Sequence, residues 1–455
     1  MGLEASVLSE IKAGCKNTTA DPAELVLYSF DATRIKHAPD CVCFPETTEE
    51  VVSIVKTCAR HKIPITPRGA GTGFAGAAVP IIGGVVASFA RMNRILKIDS
   101  EAMYAEVEPG VVNHELGLEL ARIGLFYPPD PASLRSSTIG GNVMTGAGGP
   151  RAVKYGVTRD YVMGLTVVLA DGAVMETGVK TLKGAMGYDL TSLMVGSEGT
   201  LGIITKIRLK VIALPKKVAT ATAVFNERKN AVDAVTDIMR SGIVPRTLEY
   251  IDRTALRCVE EYLNAGLPVD CAGMLLIETD GDGAEAEIEK VGAECRKNGA
   301  RDFTVARDEG EAERFWRVRR SISPALNRLR PTKINEDVTV PRNRLADLMD
   351  GLDALSLSTG LPIVNFGHAG DGNIHVNIMT DAGDPDEYKK ALSAVEEVFD
   401  ITLELGGTLS GEHGVGLAKA PYIKKEIGAT AMDMSKRLKK AFDPDNILNP
   451  GKIFP

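Results

Sequence analysis

Glycine placement is the strongest constraint on this chain. Its 46 glycines in 455 residues are about one in ten, against a usual ~7%, and they bunch at 69–84, 140–156, 196–202, 367–372 and 406–416. Bunched glycine without low complexity means tight turns, or backbone that must approach something closely. No repeat of solenoid period accompanies them. With 44% hydrophobic and 25% charged residues the chain is globular, and its length predicts two or three domains. A net charge of −7 without a dense basic block excludes a dedicated nucleic-acid binder. The most apolar stretch, 77–90, is broken by Pro80, Gly83 and Gly84 and falls short of the roughly 20 residues of a membrane span. The first residues carry no apolar run of a secretory signal. Seven cysteines without a C-x-x-C pair argue against a cysteine-ligated cluster or structural zinc, and predict reduced cytosolic thiols.

Along the chain, residues 1–37 read as a helix, a turn at Asp21-Pro22 and a short segment. A strand is then predicted at Val42-Cys43-Phe44. Thr47, with Glu50 three residues on, marks the start of a helix carrying Val51, Val55 and Cys58. Residues 64–67 read as a strand entering the first glycine loop, a βαβ-like opening. Short strands and glycine turns fill 85–209. Beyond Pro215, helices (231–239, 284–297, 395–405) alternate with strands (274–278, 373–379), which predicts a second, α+β domain.

Three glycine loops lie in the first half. Pro67-Arg-Gly-Ala-Gly-Thr-Gly73 follows a strand, and such a loop can turn several N–H groups toward one phosphate. It is neither a Walker A nor a Rossmann fingerprint, and a plain surface loop fits its spacing equally well. Residues 136–149 and 195–204 supply the other two, with small residues that suit a flat, bulky ligand. In the second half, 366–377 reads FGHAGDGNIHVN. On a strand from Asn373, His375 and Asn377 share one face, and Ile374, Val376 and Ile378 the other. His368, His375 and Glu412 would form a two-His, one-carboxylate set suited to Zn, Mn or Fe. His413 would remain as a proton acceptor. A lone histidine is more often structural, the reading adopted for His37, His61 and His114. The only tryptophan, Trp316, stands beside Arg317, Arg319 and Arg320. This is either a carboxylate-binding group or a solvated basic helix face.

PRGAGTG, STIGGN, GSEGTLGI, GHAGDGNIH, GEHGVG and NILNPGKIF occur here in one order. In them the chain resembles FAD-linked oxidases of the vanillyl-alcohol oxidase/p-cresol methylhydroxylase (PCMH) superfamily. Within it the resemblance is to the D-2-hydroxyacid dehydrogenase group, from about Ala38 to Phe454. The resemblance implies an α+β fold. A two-subdomain PCMH-type FAD-binding domain (38–215) would follow an N-terminal helical segment (1–37). A substrate or cap domain (216–412) would come next, and 413–455 would return to the FAD domain. It implies FAD held by Pro67, Arg68, Gly69, Ala70, Gly71, Thr72 and Gly73, with Pro131, Thr138, Gly141, Asn142 and Gly148 lining the flavin and ribityl region. Asp160, Glu198, Gly199, Ile204 and Asn449 would complete the pocket. It further implies a divalent metal on His368, His375 and Glu412, His413 as base, Arg319 on the substrate carboxylate and Asn377 helping to hold the substrate.

Two departures matter. Ala70 stands where the family commonly has Gly, and the histidine that tethers FAD covalently in some members is missing, so non-covalent FAD is expected. Asn335, with Lys333 two residues away, aligns where 2-hydroxyglutarate enzymes place a lysine. The expected reaction is therefore oxidation of a small D-2-hydroxy acid, D-lactate or glycolate, by hydride transfer to flavin N5. The alternatives are a D-2-hydroxyglutarate dehydrogenase, a non-redox flavin enzyme or a structural flavin subunit. Electrons would pass to a separate iron–sulfur subunit, electron-transferring flavoprotein or quinone. The expected location is cytoplasmic, including the inner face of the membrane, and a homodimer is one expected assembly.

Overall fold

The structure, a computed structural model, describes residues 2–454. The chain parts into two compact units. The first takes the described residues up to Gly148, then Val157–Leu214 and the chain from Glu412 onward; the second takes Gly149–Gly156 and Pro215–Gly411.

The first unit opens as its sequence pattern predicts. Thr47 caps the helix Thr48–His61 by accepting from Glu50 N at 3.2 Å. The Glu50 carboxylate reaches back one residue further than a capping box would place it, accepting from Glu46 N at 2.7 Å. Val51, Ile54, Val55 and Cys58 recur at helical spacing, and all are at most 1% exposed, in a core with Cys41, Cys43, Ile65 and Val85. Strands Cys41–Cys43 and Ile65–Arg68 both pair in parallel with Val85–Ser88, which lies between them. Gly84 permits that fit: its φ is +75°, and a Cβ there would stand 2.3 Å from Pro64 O. A five-stranded antiparallel sheet follows. It contains Tyr104–Val107, Ile203–Lys210 and Val162–Val168 as neighbours. All seven cysteines are buried and free.

The second unit carries a seven-stranded antiparallel sheet. Its order is Ala300–Val305, Val218–Phe225, Gly273–Asp280, Thr247–Asp252, Ile363–His368, Asn373–Thr380 and Thr332–Thr339. Helices Arg253–Leu263 and Glu309–Ala325 bury Leu256, Val259, Val318 and Ile322 with Ile251, Val364, Phe366 and Met379 of the sheet. The expected helices are longer in the structure at Arg228–Arg240 and Pro385–Glu404. Gly149–Gly156 lies by sequence inside the 38–215 stretch but packs with the second unit. There Lys154 Nζ and Tyr155 Oη both donate to the buried Asp280 carboxylate, at 2.5 and 2.7 Å. Among the described residues no helix is long and apolar enough to cross a membrane.

Candidate functional site

In the first unit, the glycine loops converge on one cavity of about 1230 Å³ of empty volume, counting its mouth. Pro67 to Gly73, Pro131, Thr138, Gly141, Asn142, Gly148, Glu198 and Ile204 line it, together with Glu412 and His413. Asp160, Gly199 and Asn449 are not among its lining residues. Asp160 caps its own turn by accepting from Val157 N, at 2.7 Å. The other two support the wall. At Gly199 φ is +74° and a Cβ would stand 2.3 Å from Pro67 Cγ. Asn449 Nδ2 donates to Ala77 O and Glu198 O, at 2.9 and 2.7 Å.

Close backbone approach explains the loop composition. A Cβ on Gly69 would meet Thr138 Oγ1 at 2.3 Å, and one on Gly140 would meet Pro109 Cβ at 2.5 Å. Thr138 Oγ1 is already engaged, accepting from Gly141 N to cap the short helix Ile139–Thr145. Glu198, itself at φ +52°, ties the 195–204 loop to the last segment. Its Oε1 accepts from Val415 N and its Oε2 from Gly416 N, at 2.6 and 2.8 Å. Burial pushes its pKa up to about 7, against the opposing pull of those two N–H groups and of Lys452. Burial likewise pushes Lys452 down to about 8, with Glu198 opposing. Glu412 lies against Gly148, where a Cβ would stand 2.8 Å from its Oε2. The His413 ring stacks on Phe74 at 5.2 Å.

In the second unit, antiparallel register assembles a polar patch on one face of the sheet. Asn373–Thr380 pairs with Thr332–Thr339 so that His375 faces Asp337 and Asn377 faces Asn335. The predicted alternation holds: His375 and Asn377 fall on one face, and Ile374, Val376 and Ile378, all fully buried, on the other. His368 and His375 come together with ring centroids 5.0 Å apart. Asn377 is heavily committed to the fold: its Nδ2 donates to Val364 O and His375 O, both at 3.0 Å, and its Oδ1 accepts from Asn335 at 2.8 Å. Helix Glu309–Ala325 presents Trp316, Arg319 and Ser323 at successive turns. Trp316 Nε1 donates to Glu278, Arg319 Nε to Glu249 and Lys333 Nζ to Ser323. The Trp316–Arg320 segment is thus no simple solvated face: Arg319 is buried over the Phe366 ring at 4.8 Å, whereas Arg320 pairs with Glu313 at the surface.

Two residues absent from the sequence reading complete this patch. Asp337 accepts from Asn373 Nδ2 at 2.7 Å, and its Oδ1 lies 3.9 Å from His375 Nδ1. Glu249 is fully buried, with one oxygen 2.6 Å from Arg319 Nε and the other 2.5 Å from His368 Nδ1. Burial alone would raise its pKa; the charges of His368 and Arg319 overcome that and hold it well below the usual carboxylate range. The signal that could have found Glu249 is one acid in the otherwise apolar middle of a buried strand, Thr247-Leu-Glu-Tyr-Ile-Asp252.

Comparison with known proteins places these features. Residues 214–453 match the family described as FAD linked oxidases, C-terminal domain, and 39–178 match that described as FAD binding domain. The chain is 44% identical over 445 residues to glycolate oxidase subunit GlcD of Bacillus subtilis, covering 97% of this chain and 95% of that one. It is 37% identical over 428 residues to a D-lactate dehydrogenase of Anaerostipes hadrus, covering 92% and 90%. Among solved structures, p-cresol methylhydroxylase with substrate bound superimposes with a TM-score of 0.84 at 21% identity, covering 98% of this chain and 96% of that one, a likeness of fold.

Proposed function

The chain belongs to the FAD-linked oxidases that include glycolate oxidase subunit GlcD and D-lactate dehydrogenase, and from that premise we propose that it oxidises a small D-2-hydroxy acid, D-lactate or glycolate, to the 2-oxo acid. It is an FAD-linked oxidoreductase with a two-domain, PCMH-type fold. In this reading 38–215 is the FAD domain, 216–412 the substrate domain and 413–455 the segment that completes the first.

The first-unit cavity suits non-covalent FAD. Ser137 Oγ and Asn142 Nδ2 are buried in its wall without a partner among the described residues, as donors awaiting a polar ligand are. Glycines at 69, 71 and 73 leave the loop backbone bare for a pyrophosphate. The donor set His368, His375 and Glu412, two imidazoles and a carboxylate, suits Zn, Mn or Fe. When bound, FAD supplies the two-electron acceptor, and the metal supplies Lewis acidity toward the hydroxyl oxygen.

The observation that carries the reading is Arg319. Its Nε is spent on Glu249, and its terminal nitrogens have no hydrogen-bond partner among the described residues. A buried guanidinium so oriented suits a carboxylate held bidentately. His413 then takes the hydroxyl proton on a ring nitrogen as the α-hydrogen leaves with its electron pair. Asn377, braced by the bond that Asn335 donates to its Oδ1, helps to hold the substrate. Electrons leave through a separate acceptor, consistent with relatives named as subunits. Turnover with an artificial electron acceptor tests this. D-lactate or glycolate should support it and a chelator should abolish it; a preference for L-lactate, or activity indifferent to every 2-hydroxy acid, refutes it.

A further inference from the structure

Two of the groups that the proposed reaction draws from the second unit, Arg319 and His368, lean on one carboxylate that lies behind them. Glu249 lies in the middle of the strand Thr247–Asp252 and is 0% exposed. One oxygen accepts from Arg319 Nε at 2.6 Å and the other stands 2.5 Å from His368 Nδ1. Arg319 and His368 are themselves 8% and 3% exposed, so this arrangement is shielded from water. An isolated carboxylate at that depth would be strongly disfavoured, and a guanidinium beside it equally so.

The consequences follow from the hydrogen-bond inventory. A carboxylate paired through one oxygen with the Arg319 guanidinium accepts at the other, so the nitrogen of His368 that stands 2.5 Å from it carries hydrogen. In the neutral imidazole the lone pair is then on Nε2, the state a metal ligand requires. For Arg319, the bond at Nε fixes the plane of the guanidinium and leaves its terminal nitrogens unbonded to Glu249. The Phe366 ring, 4.8 Å below, holds the same plane.

We propose that Glu249 is the positioning residue of this site, a single carboxylate whose two oxygens orient the substrate-binding Arg319 and fix the ligating tautomer of His368. The proposal rests on the assignment of Arg319 and His368 given above. It makes metal binding and substrate binding share one support, so that a change at Glu249 weakens both together.

The test is Glu249→Gln in the FAD-loaded protein. Gln keeps the volume but offers one acceptor and a donating NH2, so with its oxygen on Arg319 Nε it can only donate to His368 Nδ1, which moves the ring hydrogen to Nε2, the wrong tautomer for a metal ligand. Zn²⁺ affinity, read by competition with a chelating dye, should fall about 10–100-fold, the usual effect of removing a partner behind a ligating histidine. KM for the 2-hydroxy acid should rise by a similar factor, for loss of one charge-assisted bond on Arg319, with kcat at saturating metal and substrate changed least. Glu278→Gln is the matched control. Glu278 is another buried acid of the same sheet, bonded to Thr220 and Trp316 and touching neither Arg319 nor His368. It should leave Zn²⁺ affinity and KM as in the wild type. Wild-type values of both in Glu249→Gln, or equal losses in Glu278→Gln, overturn the positioning role while leaving the proposed reaction standing. A wild-type protein that takes up no metal and oxidises no 2-hydroxy acid overturns the reading beneath it, and the role of Glu249 with it.

Discussion

Glu198 makes the stability of the first unit fall as pH rises. It is 3% exposed, and burial lifts its pKa to about 7 from an ordinary 4.5. Between those values the folded protein holds a proton that the unfolded chain has released, so stability declines across that window and levels off above it. A displacement of about 2.5 pH units corresponds to roughly 3 kcal/mol. For a unit of about 250 residues, at about 2 °C per kcal/mol, that is about 6 °C in melting temperature. Glu198→Gln removes the titration. It also perturbs the bonds from Val415 N and Gly416 N, which adds an offset nearly independent of pH. The assay is thermal unfolding of FAD-stripped wild type and variant from pH 4.5 to 8. The difference between the two should shift by about 6 °C in the variant's favour as pH rises. A constant difference across that range would refute the reasoning.

Other consequences are sharper in outcome. Gly199→Ala would place a Cβ 2.3 Å from Pro67 Cγ in left-handed backbone, and should cost about 2–4 kcal/mol together with most of the FAD content of purified protein. Arg319→Lys keeps the charge but loses the planar fork and the Nε bond to Glu249, so KM for the 2-hydroxy acid should rise tenfold or more in steady-state assays. His413→Ala should lower kcat by about 10²–10⁴-fold, while the visible spectrum shows FAD still bound.

Local physics made much of this legible in the sequence. The Thr47 cap, the spacing of Val51, Val55 and Cys58, and the alternation from Ile374 to Ile378 follow from rules that act within a few residues, and each has its counterpart in the structure. The glycine loops announced close backbone approach, and Gly69, Gly140 and Gly199 have no room for a side chain. What sequence could not show depends on partners far along the chain. Nothing near Val85 says that its strand slips between two earlier ones, and nothing near Lys154 says that it pairs with Asp280, 126 residues away. Glu249 was missed for the same reason: its meaning comes from Arg319 and His368, 70 and 119 residues distant. Lys333 is a further case: nothing in the sequence near it announces its bond to Ser323, one helical turn beyond Arg319.

The most direct test of the account is the flavin spectrum of the purified protein, mixed without oxygen with D-lactate, L-lactate, glycolate or D-2-hydroxyglutarate. Rapid bleaching of the oxidised flavin band by D-lactate or glycolate, lost on chelation and restored by added metal, is the predicted result. A flavin band that no 2-hydroxy acid bleaches, even in metal-replete protein, would contradict it.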